Sequence, residues 1–130
     1  MKTASILSLL LAFAAIVPAH GERRHEKRSE ATHVLEGEVV AVYERKTKAF
    51  RHYIVQLRVE KIEKGKNVAV GDFLYASCFL RDKVSRPVMP GPGGHAAVPT
   101  EGQQVKVFLN RNRGLWEGVY PDWFDVVKTP

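Results

Sequence analysis

Residues 34–43, VLEGEVVAVY, decide the fold. β-Branched and apolar side chains dominate this run, which marks it as a strand. Gly37 interrupts the run, and a glycine inside a strand marks a bulge or a sharp bend. Leu35 and Val39 lie on one phase of the alternation, whereas Val40 and Val42 lie on the other. A strand that changes face part-way is what a small coiled barrel requires of its first strand.

The tract after it, Glu44 to Arg51, reads as a charged hairpin connection. A clean period of two follows, with Tyr53, Val55, Leu57 and Val59 alternating against His52, Gln56, Arg58 and Glu60. Glu63-Lys64-Gly65-Lys66 closes this second strand, and Gly71-Asp72 opens a third. There Leu74, Ala76, Cys78 and Leu80 form an apolar face, opposite Phe73, Tyr75, Ser77 and Phe79. From 81 to 103, Pro87, Pro90, Pro92 and Pro99 with Gly91, Gly93 and Gly94 deny regular structure. A fourth strand spans Gln104 to Leu109, and Asn110 to Gly114 is a turn cluster. A last strand or strand pair covers Leu115 to Val127, broken at Pro121-Asp122. An open sheet of this length leaves an apolar face wet, so closure is favoured. The expected fold is all-β: a five-stranded Greek-key barrel of the OB type, with a long Pro/Gly loop between strands three and four.

The N-terminus supplies an address. Met1 and Lys2 give a positive start, Ser5 to Val17 is almost unbroken apolar sequence, and Val17 and Ala19 fit a signal-peptidase site. That run is shorter than the roughly 20 residues a bilayer span needs. Residues 1–19 therefore read as a signal peptide, 20–32 as a charged flexible leader and 33–130 as the barrel domain. The leader, HGERRHEKRSEAT, has no apolar residue larger than alanine and is expected to stay solvated. A secreted or periplasmic monomer without stable membrane insertion follows. Its single cysteine, Cys78, permits no disulfide within the chain.

Leu35-x-Gly37-x-Val39, the run from Val59 to Lys64-Gly65, Gly71-Asp72, and Gly102-x-x-Val105-x-Val107-Phe108-Leu109 together resemble small exported bacterial proteins of the netrin-like class. That class shares its fold with the tissue inhibitors of metalloproteinases. The likeness covers about residues 33–127 and rests on glycines and apolar spacings, so it implies a fold. In those inhibitors an N-terminal cysteine chelates the protease zinc; this chain has no cysteine near residue 20. The resemblance therefore does not carry the inhibitory mechanism with it.

Chemistry-bearing patterns are sparse. Cys78, on an apolar strand face, reads as a buried structural thiol. His20, His25, His33, His52 and His95 lack ligand spacing, so neither a metal nor a cofactor is expected, although His20 as the first residue would chelate weakly. Glu36 with Glu38, and Asp122 with Asp125, read as solvated carboxylates, since acid–base catalysis needs a cleft and a shifted pKa. No P-loop, Rossmann or G-x-S-x-G pattern is present. The chain is expected to be non-enzymatic; the rival is a small hydrolase using Asp122 or Glu38 with His95, or a metalloprotease-inhibitor-like protein.

A binding surface is the favoured reading. The formal charge is +6 with histidine neutral, which suits anionic partners. Arg45, Lys46, Lys48 and Arg51 crowd one hairpin beside Phe50 and Tyr53. Basic groups beside aromatics are how OB barrels hold sugars or single strands. The rings of Phe73, Tyr75 and Phe79 either stay open or cover a second small core beneath the long loop and the Trp116/Trp123 segment. The loop is expected to carry a mobile tip from Met89 to His95, and loops on rigid scaffolds often bind. The candidate surface is thus Arg45, Lys46, Lys48, Arg51, Tyr53, Met89 and His95. The expected partner is a protein or an anionic envelope glycan, with nucleic acid the weaker ligand.

Overall fold

The computed structural model describes residues 23–81 and 93–127. The signal-peptide segment, His20 and Met89 lie outside them. Six strands form in chain order: β1 (His33–Lys46), β2 (Phe50–Lys64), β3 (Phe73–Arg81), β4 (Gln104–Asn112), β5 (Leu115–Gly118) and β6 (Phe124–Val126). The sheet runs β1-β2-β3-β5-β4, and β4 closes it by pairing back onto β1. All pairings are antiparallel except β3 with β5, at Ala76↔Trp116 and Ser77↔Glu117. This is the closed OB-type barrel, with β6 added along β4.

Closure depends on the first strand. β1 pairs with β2 along nearly its whole length and with β4 from His33 to Glu38, so it must serve two neighbours that splay apart. Register shifts at Val34/Leu35, Glu36/Gly37 and Val39/Ala41 bend it. Gly37 sits at the tightest crossing, where a Cβ would lie 2.3 Å from the Arg58 carbonyl oxygen. No other residue fits there. Past the last shift the buried phase changes: Val39 is fully buried, and Val42 rather than Tyr43 packs on the core.

Trp123, Leu35, Leu57, Leu109, Val39, Val55, Val59, Val105 and Val107 fill the interior. The third-strand prediction holds in phase, since Leu74, Ala76 and Cys78 are buried and Leu80 packs against them. Hairpin β1–β2 turns tightly over Thr47-Lys48-Ala49, where the Thr47 N–H donates to the Phe50 carbonyl over 2.8 Å. The strands therefore run further into the charged tract than its composition predicts. β4 and β5 meet through a two-residue turn at Arg113-Gly114, both with positive φ, which suits the twist of a hairpin.

The leader departs from expectation. Arg23 to Thr32 lies against the barrel, with one 3-10 turn at Arg28–Glu30. It docks without an apolar face because charged groups do the work. The Arg28 guanidinium donates to both Asp125 oxygens (2.8 and 3.0 Å) and to Asp122 Oδ1 (2.9 Å), and lies 4.4 Å from the Phe108 ring centre. Glu26 accepts from the Tyr120 N–H (2.9 Å) and the Asn110 amide (3.1 Å). Asp122 and Asp125 are exposed, as expected of solvated carboxylates, and also anchor this leader segment as a strap across the barrel. Glu36 and Glu38 likewise pair with Lys61 (3.6 Å) and Arg58 (2.7 Å).

Candidate binding face

Strand pairing sets out the outer face of the barrel row by row. Tyr43 lies beside Ile54, and Ile54 beside Ser77, which meets Glu117 of β5. The adjacent row holds Arg45, His52 and Phe79, and the next rows in the other direction hold Gln56 with Tyr75 and Arg58 with Phe73. Side chains opposite one another across strands share a face. A hollow of about 500 Å³ opens here, walled by Tyr43, Arg45, His52, Ile54, Phe79 and Glu117. Glu44, Tyr53, Ser77, Cys78 and His95 complete its lining.

Its far wall is an aromatic stack. Phe79 lies nearly parallel to Tyr120 (5.8 Å, 13°) and meets His95 and Phe50 edge-on. His95 is 4 % exposed and also contacts Tyr120 and Trp123. The main chain holds its ring at both nitrogens. The Phe79 N–H donates to Nδ1 over 3.1 Å, and the Gly118 carbonyl lies 2.9 Å from Nε2. A carbonyl only accepts, so Nε2 carries the proton and the ring is neutral. Burial pushes the His95 pKa down, aided by the Arg23 charge and opposed by the Gly118 bond.

The loop on this side is therefore pinned from residue 94 onward. The His95 N–H donates to the Phe79 carbonyl (2.7 Å), the Ala96 N–H to Pro121 (2.8 Å), and the Trp123 indole to the Ala97 carbonyl (3.0 Å). Gly94, at φ 94°, bridges Leu80, and a Cβ there would meet the Arg81 nitrogen at 2.7 Å. The expected mobile tip ending at His95 is corrected at its end: Gly94 and His95 are an anchor and the histidine is core. Met89 lies outside the described residues.

The basic hairpin also divides. Arg45, Lys46 and Lys48 are exposed, but strand alternation sets Arg45 on the outer face, whereas Lys46 and Arg51 share the opposite one. Arg51 is half-buried and 3.9 Å from Glu44. Tyr53, expected at the surface, is 7 % exposed and belongs to the core. Phe73 (52 %) and Tyr75 (53 %) stay open while Phe79 is covered, so the third-strand rings split between the two readings. The sequence reading does not single out Tyr43, Ile54 or Glu117. The period of two does place Ile54 with His52 and Gln56, which is the signal that finds it.

Several polar groups of the hollow are engaged within the protein. The Ser77 hydroxyl donates to the Trp116 carbonyl (3.2 Å), and Glu117 is held by Arg23. Cys78 is 3 % exposed, and burial pushes its thiol up to about 12. Among the described residues no three His, Cys, Asp or Glu side chains gather as metal ligands. What remains open to a partner is a shallow aromatic hollow lined by Arg45 and His52, neither of them in an ion pair among the described residues. No family model, curated protein or solved structure is significantly similar to this chain.

Proposed function

We propose that this protein is an exported, non-enzymatic binding module whose site is the outer face of β2 and β3. The observation that carries this reading is the hollow itself. Exposed Tyr43 and Ile54 border it, and Arg45 in its lining has no ion-pair partner among the described residues. Cations left without carboxylates favour an anionic ligand, and aromatic walls favour one with flat faces to stack. An acidic envelope glycan has both properties. The hydrolase alternative needs His95 as a base, and both of its ring nitrogens are engaged by the main chain.

The test is affinity electrophoresis of the protein through gels carrying an acidic polysaccharide or a neutral one. Retardation by the acidic polymer, lost in Arg45→Ala and relieved by salt, supports the reading. Equal mobility in both gels, or release of shortened sugar products, overturns it.

A further inference from the structure

The aromatic face does not stop at the hollow. Along β3, Phe73 and Tyr75 continue the outer row that Phe79 ends, all on one side of the strand. Residues two apart on a strand lie about 7 Å apart, so the track from Phe73 to Phe79 is about 20 Å long. That is several times the width of one sugar ring. Phe73 and Tyr75 are about half exposed, as is Tyr43 at the edge of the hollow. Large rings left open in a line mark a contact surface.

Polar groups interrupt the track at regular intervals. Gln56 lies beside Tyr75, Arg58 beside Phe73, and Ser77 between Tyr75 and Phe79. A protein interface buries a continuous apolar centre. Here rings alternate with hydrogen-bonding groups, which suits a ligand that is itself an alternation of flat faces and polar edges. Charge narrows the class. Arg45 lines the hollow end with no ion-pair partner among the described residues, whereas Glu44 and Glu117 in the same lining face Arg51 and Arg23. A nucleic-acid strand carries a phosphate at every step, more anions than this face has unmatched cations. A glycan with spaced carboxylates sets one anion against Arg45 and its hydroxyls along the polar edges of the track.

We infer that the ligand is a linear acidic polysaccharide lying along β3, with a carboxylate-bearing sugar in the hollow and the following sugars stacked on Tyr75 and Phe73. This rests on the binding reading above and adds the ligand's shape and direction. The Tyr43 hydroxyl, 3.5 Å from Gln56 Oε1, closes the side of the track toward β1.

The experiment is calorimetric titration with uronic-acid oligosaccharides from dimer to hexamer, with a neutral glucose hexamer and a single-stranded oligonucleotide alongside. The tetramer is expected to bind about tenfold more tightly than the dimer, the combined gain of the two stacking contacts at Tyr75 and Phe73. The double variant Phe73→Ser/Tyr75→Ser is expected to bind the tetramer only as well as the dimer, with its melting temperature unchanged. Arg45→Ala is expected to weaken every uronate equally. Equal affinity for dimer and tetramer overturns the linear track while leaving the hollow as the site. No binding of any uronate overturns the site reading itself. Preference for the oligonucleotide overturns the glycan class. Self-association relieved by the double variant assigns the face to a second copy instead.

Discussion

On the flank formed by β4 and β6, Arg28 meets Asp122, Asp125 and the Phe108 ring, while Lys106 meets Glu63 at 2.7 Å. On the outer face of β1 to β3, Arg45 stands without a carboxylate partner among the described residues while Phe73 and Tyr75 face water. One barrel thus presents two surfaces of similar composition and opposite state. On the first, each of these charges is matched and the rings are capped, so the surface is complete as it stands. On the second, rings and cations are both left over. The difference teaches that the position of a charge relative to its partners, rather than the count of charges, separates structure from recognition.

The sharpest break of this comparison comes at the anchor between the two surfaces. His95→Ala strands the Phe79 N–H and the Gly118 carbonyl and empties an aromatic cage. A loss of about 3 kcal/mol or more is expected, read from the urea midpoint. Acid reaches the same anchor without mutation. The His95 pKa is depressed in the fold, so the unfolded chain takes up its proton first. Stability from this group is full above about pH 6.5 and falls as pH drops from there toward the folded pKa. Urea midpoints between pH 7 and 5 should decline in the native protein and stay flatter in the His95 variant; parallel curves would remove His95 from the account.

The matched flank is expected to respond less. Arg28→Ala should cost about 1 kcal/mol, because its partners are partly exposed and screened. Arg28 also holds the Asp125 carboxyl below the usual range, so that pair's contribution is present at neutral pH and lost as the carboxyl protonates. In the variant this acid-side loss should disappear. The smallest effect belongs to the open face: Phe73→Ser with Tyr75→Ser should change stability by no more than about 0.5 kcal/mol. Unfolding of that double variant would show the rings to be structural cover and erase the contrast between the two surfaces.

The barrel was legible where single residues carry backbone consequences. Gly37 announces the bend, and the alternation from Tyr53 to Val59 announces a half-buried strand, because both follow from sterics along one segment. The site was less legible because its parts meet across the chain. His95 looks like a loop histidine until its partners 16 and 23 residues away are seen, and both are main-chain groups that carry no side-chain signal. The strap was hidden for a related reason. Periodicity detects apolar faces, whereas Arg23 and Arg28 dock on carboxylates and Glu26 on the Tyr120 N–H, 94 to 97 residues distant. Alternation put Phe73, Tyr75 and Phe79 on one face, yet only the position of Tyr120 decides which of them is covered.

Cys78 has a consequence for the life of the molecule rather than its shape. It is the chain's only thiol, it lies on the core face of β3, and burial holds it protonated at any ordinary pH. Exchange with disulfides requires a thiolate within reach. Once closed, the barrel therefore takes no part in thiol–disulfide exchange, forming neither crosslinked pairs nor glutathione adducts. Its vulnerable interval is the time before closure, so its chemical integrity depends on how fast it folds.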